Sequence, residues 1–329
     1  MYDLEIERTV EIIENNGYKR VALQLPEGLK GMATEIAETI NKKTGCDVFI
    51  FGDPCYGACD LADEEAQRLG CGALFHFGHS EVLATAKLPV HYIEVKLDID
   101  PLPLLSRNLH RLPKNLGLVT TVQHIHLLEK TKTFLEDSGI KVSIGKAQGR
   151  VKHRGQVLGC SFSSAKSVVD RVEGFLYIGT GNFHPLGVAL STGKKTFALD
   201  MEKGELRDMD KLKEPILRKR FASIAKSKDA KDFGIIVGEK AGQRRTGLAI
   251  KIKAVLEDQG KKGYLIFLKE INPDVLLPFR KLDAFVNTAC PRITIDDAER
   301  YKKPLLTPIE LEIVLGTRDW VDYQMDEIG

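Results

Sequence analysis

The sequence lacks any long apolar run and carries almost no excess charge of either sign. No stretch approaches the roughly 20 apolar residues that a membrane-spanning helix needs, so we expect no membrane association. The first 20 residues are charged and have the pattern of a helix, without the apolar segment and cleavage site of a secretion signal. The formal net charge is only +2, which gives no overall field for direct binding of nucleic acid. We therefore expect a cytoplasmic protein.

Common catalytic motifs are also missing. No G-x4-G-K-S/T phosphate-binding loop occurs, and no group of serine, histidine and aspartate indicates a hydrolase triad. Gly179, Gly181 and His184 occupy positions of a G-x-G-x-x-G fingerprint, but its last glycine is absent, so the signal for a dinucleotide site is weak. The C-x3-C-x2-C loop of ordinary radical S-adenosylmethionine enzymes is absent too, because Ala62 stands in the place of its third cysteine.

What the sequence does contain is a strand and helix alternation that occurs three times. The 329 residues, of which 43% are hydrophobic, suffice for two or three domains. Strand-like runs begin each unit at VALQLP (21–26), LGLVTTV (116–122) and FGIIVG (233–238), and helical stretches follow at 28–43, 125–137 and 246–259. This alternation is typical of βαβ units and parallel sheets. We predict an α/β fold of three similar βαβ-type domains, residues 1–105, 106–215 and 216–329, around a pseudo-threefold axis.

Six cysteines divide into two groups by their surroundings. Disulfides are not expected in a reducing compartment. Cys46 and Cys71 each follow a glycine at the edge of an apolar strand, so we interpret them as packing residues. Cys59, Cys160 and Cys290 lie in loops that follow predicted strands, one in each predicted domain. Since ligands bind at the carboxyl ends of parallel strands, these three thiols are predicted to converge.

Three converging thiolates indicate a metal centre. Thiolates are soft ligands that favour iron–sulfur clusters, zinc or copper(I). A structural zinc site uses four ligands, commonly in paired C-x2-4-C knuckles. Cys55 and Cys59 form one C-x3-C pair, but Cys160 and Cys290 have no neighbouring cysteine. Three cysteines on a 4Fe-4S cluster would leave one iron free for substrate.

Long segments of the chain resemble one family. These are YGACDLAD (56–63), HFGHS (76–80), LGCSFSS (158–164), GNFHPLG (181–187) and NTACPRI (287–293). They are similar to the signature segments of the diphthamide biosynthesis radical enzymes, and the length suits the single-chain archaeal form. Cys55 lies outside that pattern, whereas Cys59 belongs to YGACD. The resemblance therefore assigns Cys59, Cys160 and Cys290 as ligands of a 4Fe-4S cluster.

The family resemblance implies a transferase activity. A homodimer would use the cluster and an electron donor to cleave the sulfur–Cγ bond of S-adenosylmethionine. The 3-amino-3-carboxypropyl group would then add to C2 of a histidine of translation elongation factor 2, releasing 5′-methylthioadenosine. Which bond breaks depends on how the protein orients the substrate near the cluster.

Residues of the strand-following loops are candidates for binding S-adenosylmethionine. We expect them among the side chains nearest the cluster. The candidates are Gln24, Pro26, Glu27, His79, Ser80, Gly181, His184 and Gln243.

Two other functions fit the pattern of residues. Quinolinate synthase also joins three α/β units around a three-cysteine cluster, which acts there as a Lewis acid in a dehydration. Its ligand loops do not read like YGACD or NTACPR. A zinc-stabilised binding module is the non-enzymatic alternative.

Overall fold

The computed structural model describes residues 2–83 and 86–329. Its strands are β1 (Tyr2–Asp3), β2 (Arg20–Gln24), β3 (Asp47–Ile50), β4 (Ala73–Phe77), β5 (Val90–Ile93), β6 (Lys96–Leu97), β7 (Asn115–Thr120), β8 (Lys141–Ser143), β9 (Gly174–Ile178), β10 (Lys195–Asp200), β11 (Glu205–Asp208), β12 (Asp232–Gly238), β13 (Lys262–Leu268), β14 (Ala284–Asn287) and β15 (Leu305–Leu306).

Helices alternate with these strands along the chain. The α-helices are α1 (Ile6–Asn16), α2 (Ala33–Thr44), α3 (Asp63–Arg68), α4 (Leu102–Ser106), α5 (Leu128–Asp137), α6 (Ser163–Lys166), α7 (Phe183–Thr192), α8 (Asp210–Ser227), α9 (Thr246–Asp258), α10 (Pro273–Leu276), α11 (Pro291–Asp296) and α12 (Pro308–Val314). Short 3-10 helices lie at Glu27–Met32, Leu109–Arg111, Val122–Leu127, Val169–Arg171, Ala241–Gln243, Ala298–Arg300 and Trp320–Asp322.

One strand order recurs in three sheets. The orders are β3-β2-β4-β5, β8-β7-β9-β10-β11 and β13-β12-β14-β15. In each sheet the first strand of the unit lies between the second and third, and all of these pairs are parallel. In such an open sheet the ligand site lies beyond the carboxyl ends of the strands where the order reverses. The predicted α/β class with parallel sheets is therefore confirmed.

Apolar side chains cover both faces of these sheets. The central strands β2, β7, β9 and β12 are almost entirely buried, as expected for parallel strands covered by helices. Separate hydrophobic clusters lie on the two sides of each sheet. Because both faces are filled, the ends of the strands are left for polar chemistry.

The structure also contains pairings that the sequence patterns did not indicate. β11 runs antiparallel to β10 at the edge of the middle sheet, and β1 pairs antiparallel with β6. The sequence analysis predicted parallel sheets and did not include these antiparallel strands, because a short polar edge strand has no apolar alternation to mark it. Among the described residues, no helix is both long enough and apolar enough to cross a membrane.

Candidate functional site

Cys59 lies in the loop that follows β3. Gln24, at the end of β2, holds this loop against the sheet. Its amide nitrogen donates to the carbonyl oxygen of Asp60 at 2.7 Å, and its amide oxygen accepts from the backbone N–H of Ala62 at 3.2 Å. The loop also turns tightly on itself, since the N–H of Asp60 donates to the carbonyl of Gly57 at 2.9 Å. The sheet therefore fixes the backbone on the carboxyl side of Cys59.

Cys160 lies beyond the carboxyl end of β7, although it is distant from that strand in sequence. Thr120, the last residue of β7, pairs in parallel with Gln156, and Leu158 pairs with Ser161 around the cysteine. The N–H of Ile328 donates to the carbonyl oxygen of Cys160 at 2.8 Å. The C-terminal segment thus holds the middle cysteine loop in place.

Cys290 immediately precedes α11. Asn287, the buried last residue of β14, donates from Nδ2 to the carbonyl oxygen of Cys290 at 2.8 Å. Pro291 opens the helix, at a position where its missing N–H leaves no hydrogen bond unmade. A strand end and a helix start therefore position this thiol.

The three cysteines line one cavity. It has a volume of about 190 Å³, and its walls include Cys59, Cys160 and Cys290. A second cavity of about 210 Å³ shares Tyr56, Cys59, Cys290 and Arg292 with the first. The predicted convergence of three thiols from three sheets is present in the structure.

The cavity walls make all three thiols hard to ionise. Burial raises the pKa of Cys59, that of Cys160 to about 11 and that of Cys290 to about 12. Repulsion adds to each increase: it comes from Asp60 at Cys59, from Cys59 at Cys160, and from both other thiols at Cys290. Arg150 opposes the increase at Cys59 and Cys160, and Arg292 opposes it at Cys290. These guanidinium groups would compensate the negative charge of a thiolate-bound metal centre.

The donor set suits an iron–sulfur cluster. Cys59, Cys160 and Cys290 are soft thiolate donors that three separate loops bring to one cavity. Three thiolates hold a 4Fe-4S cluster and leave one iron open, whereas a structural zinc site is closed by four protein ligands.

Three of the predicted substrate-binding residues line the same cavity as the cysteines. These are His79, Ser80 and His184. Burial lowers the pKa of His79 to about 4 and that of His184 to about 3, with repulsion from Arg292 contributing at His184. Both imidazoles are therefore neutral at pH 7. The hydroxyl of Ser80 accepts from Nε2 of Gln156 at 2.7 Å.

The other predicted residues are placed differently. Gln243 lines the second cavity, and Pro26 lines a third cavity that also contains His79. The amide of Gln24 holds the Cys59 loop and also accepts a hydrogen bond from Nδ1 of His76 at 2.9 Å. Glu27 is exposed and paired with Lys30 at 2.5 Å, and Gly181 accepts from Arg207 at 3.3 Å. Glu27 and Gly181 line none of these three cavities.

The sequence patterns missed several polar side chains of the site. Lys240 binds Asp60 at 3.0 Å and Glu270 at 2.8 Å, and it lies 4.1 Å from the ring centroid of Tyr56. Arg292 packs over the ring of Phe183 at 4.7 Å. Tyr56 and Arg292 belong to the YGACD and NTACPR segments, so their position near the cysteines was the signal that could have found them.

Comparison with known proteins gives a family match over most of the chain. Residues 25–324 match the family model of diphthamide synthesis proteins. The 2-(3-amino-3-carboxypropyl)histidine synthase of Pyrococcus horikoshii is 40% identical, and the match covers 100% of this chain and 94% of that protein. Subunit 1 of the same synthase is 33% identical in Caenorhabditis elegans, with 95% and 80% of the two chains covered.

A solved structure has the same fold. The crystal structure of Dph2 from Pyrococcus horikoshii with a 4Fe-4S cluster superimposes with a TM-score of 0.92 at 40% identity. The match covers 100% of this chain and 95% of that one.

Proposed function

The chain belongs to the diphthamide synthesis protein family, and on that basis we propose that it catalyses the first step of diphthamide biosynthesis. The enzyme is a transferase. It moves the 3-amino-3-carboxypropyl group of S-adenosylmethionine to C2 of a histidine of translation elongation factor 2 and releases 5′-methylthioadenosine. The observation that carries this proposal is the convergence of three thiols on one cavity.

We assign Cys59, Cys160 and Cys290 as the protein ligands of a 4Fe-4S cluster. When bound, this cluster supplies the single electron that cleaves the sulfur–Cγ bond, as in noncanonical radical S-adenosylmethionine chemistry. The backbone groups of the three loops make most of the hydrogen bonds that hold them, and the sulfur of Cys59 only accepts one bond, from Gln243. The sulfurs are therefore free to bind iron, once their protons are lost.

The walls of the cavity suit a sulfonium substrate. S-adenosylmethionine carries a positive charge on sulfur, and His79 and His184 are neutral, so they add no repulsion. Neutral imidazoles can still donate and accept hydrogen bonds to the amino acid or the adenosine. We propose His79, Ser80, His184 and Gln243 as direct contacts.

The remaining predicted residues have weaker support as direct contacts. Pro26 shapes the neighbouring cavity. Gln24 supports the loop, and Glu27 and Gly181 would reach substrate only if their loops moved. We keep these four residues as candidate contacts, with Pro26 first, Gln24 second, and Glu27 and Gly181 last.

Part of the wall of the cysteine cavity is apolar. Val122, Val157 and Leu158 line the cysteine cavity. An apolar wall protects a reactive carbon fragment until the acceptor histidine arrives. The substrate orientation that places Cγ toward the cysteines determines which bond is cleaved.

We propose the following cellular setting. The protein acts in the cytoplasm as a homodimer, receives its electron from a separate donor and binds elongation factor 2, without direct binding of nucleic acid or membrane. The domain limits 1–105, 106–215 and 216–329 and the pseudo-threefold arrangement remain predictions. The recurrence of one strand order in three sheets supports them.

The nucleoside product tests this function. Anaerobic protein is incubated with reductant and S-adenosylmethionine, and the nucleosides are separated by chromatography. We expect 5′-methylthioadenosine. Mostly 5′-deoxyadenosine would contradict the proposed bond choice. A colourless protein that contains zinc and no iron would favour a binding module, and a brown protein inert toward S-adenosylmethionine would favour a Lewis-acid dehydratase of the quinolinate synthase type.

A further inference from the structure

A second group of metal-binding side chains lies beside the Cys59 loop. Ligand atoms of Cys55, His76 and His79 all lie within 4.8 Å of one another. Cys55 is 4% exposed and His76 is 0% exposed, so two of the three are removed from solvent. His79 lines two cavities, which gives an ion a path to the group. None of the three is needed as a ligand of the proposed cluster.

The spacing of these atoms suits one ion. Nε2 of His76 and Nδ1 of His79 are 3.0 Å apart. Two nitrogens bound to a tetrahedral zinc ion at about 2.0 Å lie about 3.3 Å apart, and a thiolate sulfur lies about 3.6 Å from each. Shifts of a few tenths of an ångström would bring the nitrogens to this geometry.

Gln24 fixes which nitrogen of His76 is free to bind a cation. The amide nitrogen of Gln24 donates to Asp60, so its oxygen must be the atom that faces Nδ1 of His76 at 2.9 Å. An amide oxygen only accepts, and Nδ1 of His76 therefore carries the proton. Nε2 is left with its lone pair directed at His79. A histidine held through its other nitrogen in this way is the usual arrangement in metal sites.

Cys55 completes the group. Burial raises the pKa of its thiol to about 12, and a backbone hydrogen bond from Gly57 acts in the opposite direction. A bound cation would displace the thiol proton, so one proton is released for each ion. His79 would give up the hydrogen bond from Nδ1, and the proton on that nitrogen would move to Nε2. One thiolate and two neutral imidazoles are ligands that zinc prefers.

We propose that Cys55, His76 and His79 form a mononuclear site for a divalent cation of the zinc class, separate from the iron–sulfur cluster. Its fourth position opens toward the cavity that His79 lines. The ion would join β4, which carries His76, to the loop that carries Cys59 four residues after Cys55. It would therefore brace the first cysteine loop.

Metal analysis of matched cysteine variants tests this site. Wild-type, Cys55→Ser, Cys59→Ser and Cys71→Ser proteins are loaded with iron and sulfide anaerobically, exposed to zinc and desalted. Iron and zinc per chain are then measured by mass spectrometry. We expect about one tightly held zinc per wild-type chain. Cys55→Ser should lose the zinc and keep the iron, Cys59→Ser should lose the iron and keep the zinc, and Cys71→Ser should keep both.

The other outcomes overturn the proposal. A wild-type chain that holds no zinc after desalting has no such site. Loss of iron together with zinc in Cys55→Ser would make Cys55 part of the cluster site instead.

Cobalt provides a second measurement that does not depend on a cysteine variant. Cobalt(II) bound to a thiolate and two imidazoles in a tetrahedral site gives visible bands and a thiolate charge-transfer band. We expect these bands in wild-type protein, and their loss in His76→Gln protein whose iron content is unchanged. Identical cobalt spectra in wild-type and His76→Gln protein would contradict the assignment.

Discussion

Nε2 of Gln243 donates a hydrogen bond to Sγ of Cys59 at 3.4 Å. Gln243 follows β12 of the third sheet and is 4% exposed, whereas Cys59 follows β3 of the first sheet. The backbone reinforces this contact, since the N–H of Gly242 donates to the carbonyl oxygen of Cys59 at 3.1 Å. Two sheets that are far apart in sequence therefore meet at one of the proposed cluster ligands.

Removing the Gln243 hydrogen bond should change the cluster without releasing it. Hydrogen bonds to ligand sulfur stabilise the more negative, reduced state, so Gln243→Leu should lower the reduction potential. A loss of about 1 kcal/mol corresponds to roughly 40 mV for one electron. Electrochemical titration measures it, with Gln259→Leu as an exposed control. An unchanged potential with full iron content would show that the contact does not reach the cluster.

A methyl group at Gly242 should displace the Cys59 loop. A Cβ atom there would lie 2.5 Å from both Cα and Cβ of Cys59, too close for the backbone to accommodate without moving. Overpacking of this kind typically destabilises a structure by ~1–3 kcal/mol. We therefore expect Gly242→Ala to reduce the iron bound per chain by at least about half.

Gly247→Ala is the matched control for this substitution. No atom lies within 4 Å of a Cβ built at Gly247, and alanine favours the helix α9 by about 1 kcal/mol. Its iron content should equal that of the wild type. If Gly242→Ala contains as much iron as the wild type, the Cys59 loop moves to accommodate the methyl group without losing the cluster, and the prediction is wrong.

The α/β class and two of the three cysteine loops could be predicted because the signal was local. Apolar runs mark β2, β7, β12 and β14, and Cys290 follows β14 directly. Cys160 is different, because the bridge from Thr120 to Gln156 and the bond from Ile328 determine its place. Those are long-range contacts with no periodic signal. The sequence analysis placed Cys160 in a loop that follows a predicted strand, whereas the preceding strand of the structure, β8, already ends at Ser143.

The roles of the polar residues could be predicted less well. Gln24 ends β2 and Glu27 lies just after this strand, at the sheet edge expected for ligand-binding residues. In the structure Asp60 and Ala62 take up the amide of Gln24, and Lys30 pairs with Glu27. A sequence shows which side chains reach a strand end, but not which partner each one finds there.

Substitution of five of the cysteines by alanine should separate them into two classes by iron content. Cys59→Ala, Cys160→Ala and Cys290→Ala should each lose most of the iron after anaerobic loading, because two thiolates hold a cluster poorly. Cys46 and Cys71 lie in hydrophobic clusters, as predicted, so Cys46→Ala and Cys71→Ala should keep it. Iron and sulfide assays give the result. Retention of iron by Cys59→Ala and its loss from Cys55→Ala would reverse the first assignment.

Acid should destabilise the fold partly through His124. Burial lowers its pKa to about 4, with repulsion from His126 adding to the effect, whereas an unfolded chain has a value of about 6.5. The neutral folded form is therefore favoured. This contribution to stability is complete above pH 6.5 and is lost as the pH falls toward 4.

Replacing this histidine should reduce the pH dependence of stability. In cluster-free protein, His124→Leu should reduce the slope of the free energy of unfolding against pH by up to about 1.4 kcal/mol per pH unit between pH 4 and 6.5. Urea titrations at several pH values measure the slope. His110→Leu, which replaces an exposed histidine, is the control. The same slope in the His124 variant and the wild type would contradict the assignment.

The mass of elongation factor 2 after reaction tests the central claim most directly. Wild-type protein and Cys160→Ala are incubated anaerobically with reductant, elongation factor 2 and S-adenosylmethionine labelled in its aminocarboxypropyl carbons, and the factor is digested and analysed by mass spectrometry. We predict that wild-type protein attaches the labelled 3-amino-3-carboxypropyl group to C2 of one histidine and that Cys160→Ala attaches none. An unmodified factor alongside abundant 5′-methylthioadenosine, or equal labelling by the variant, would contradict the account.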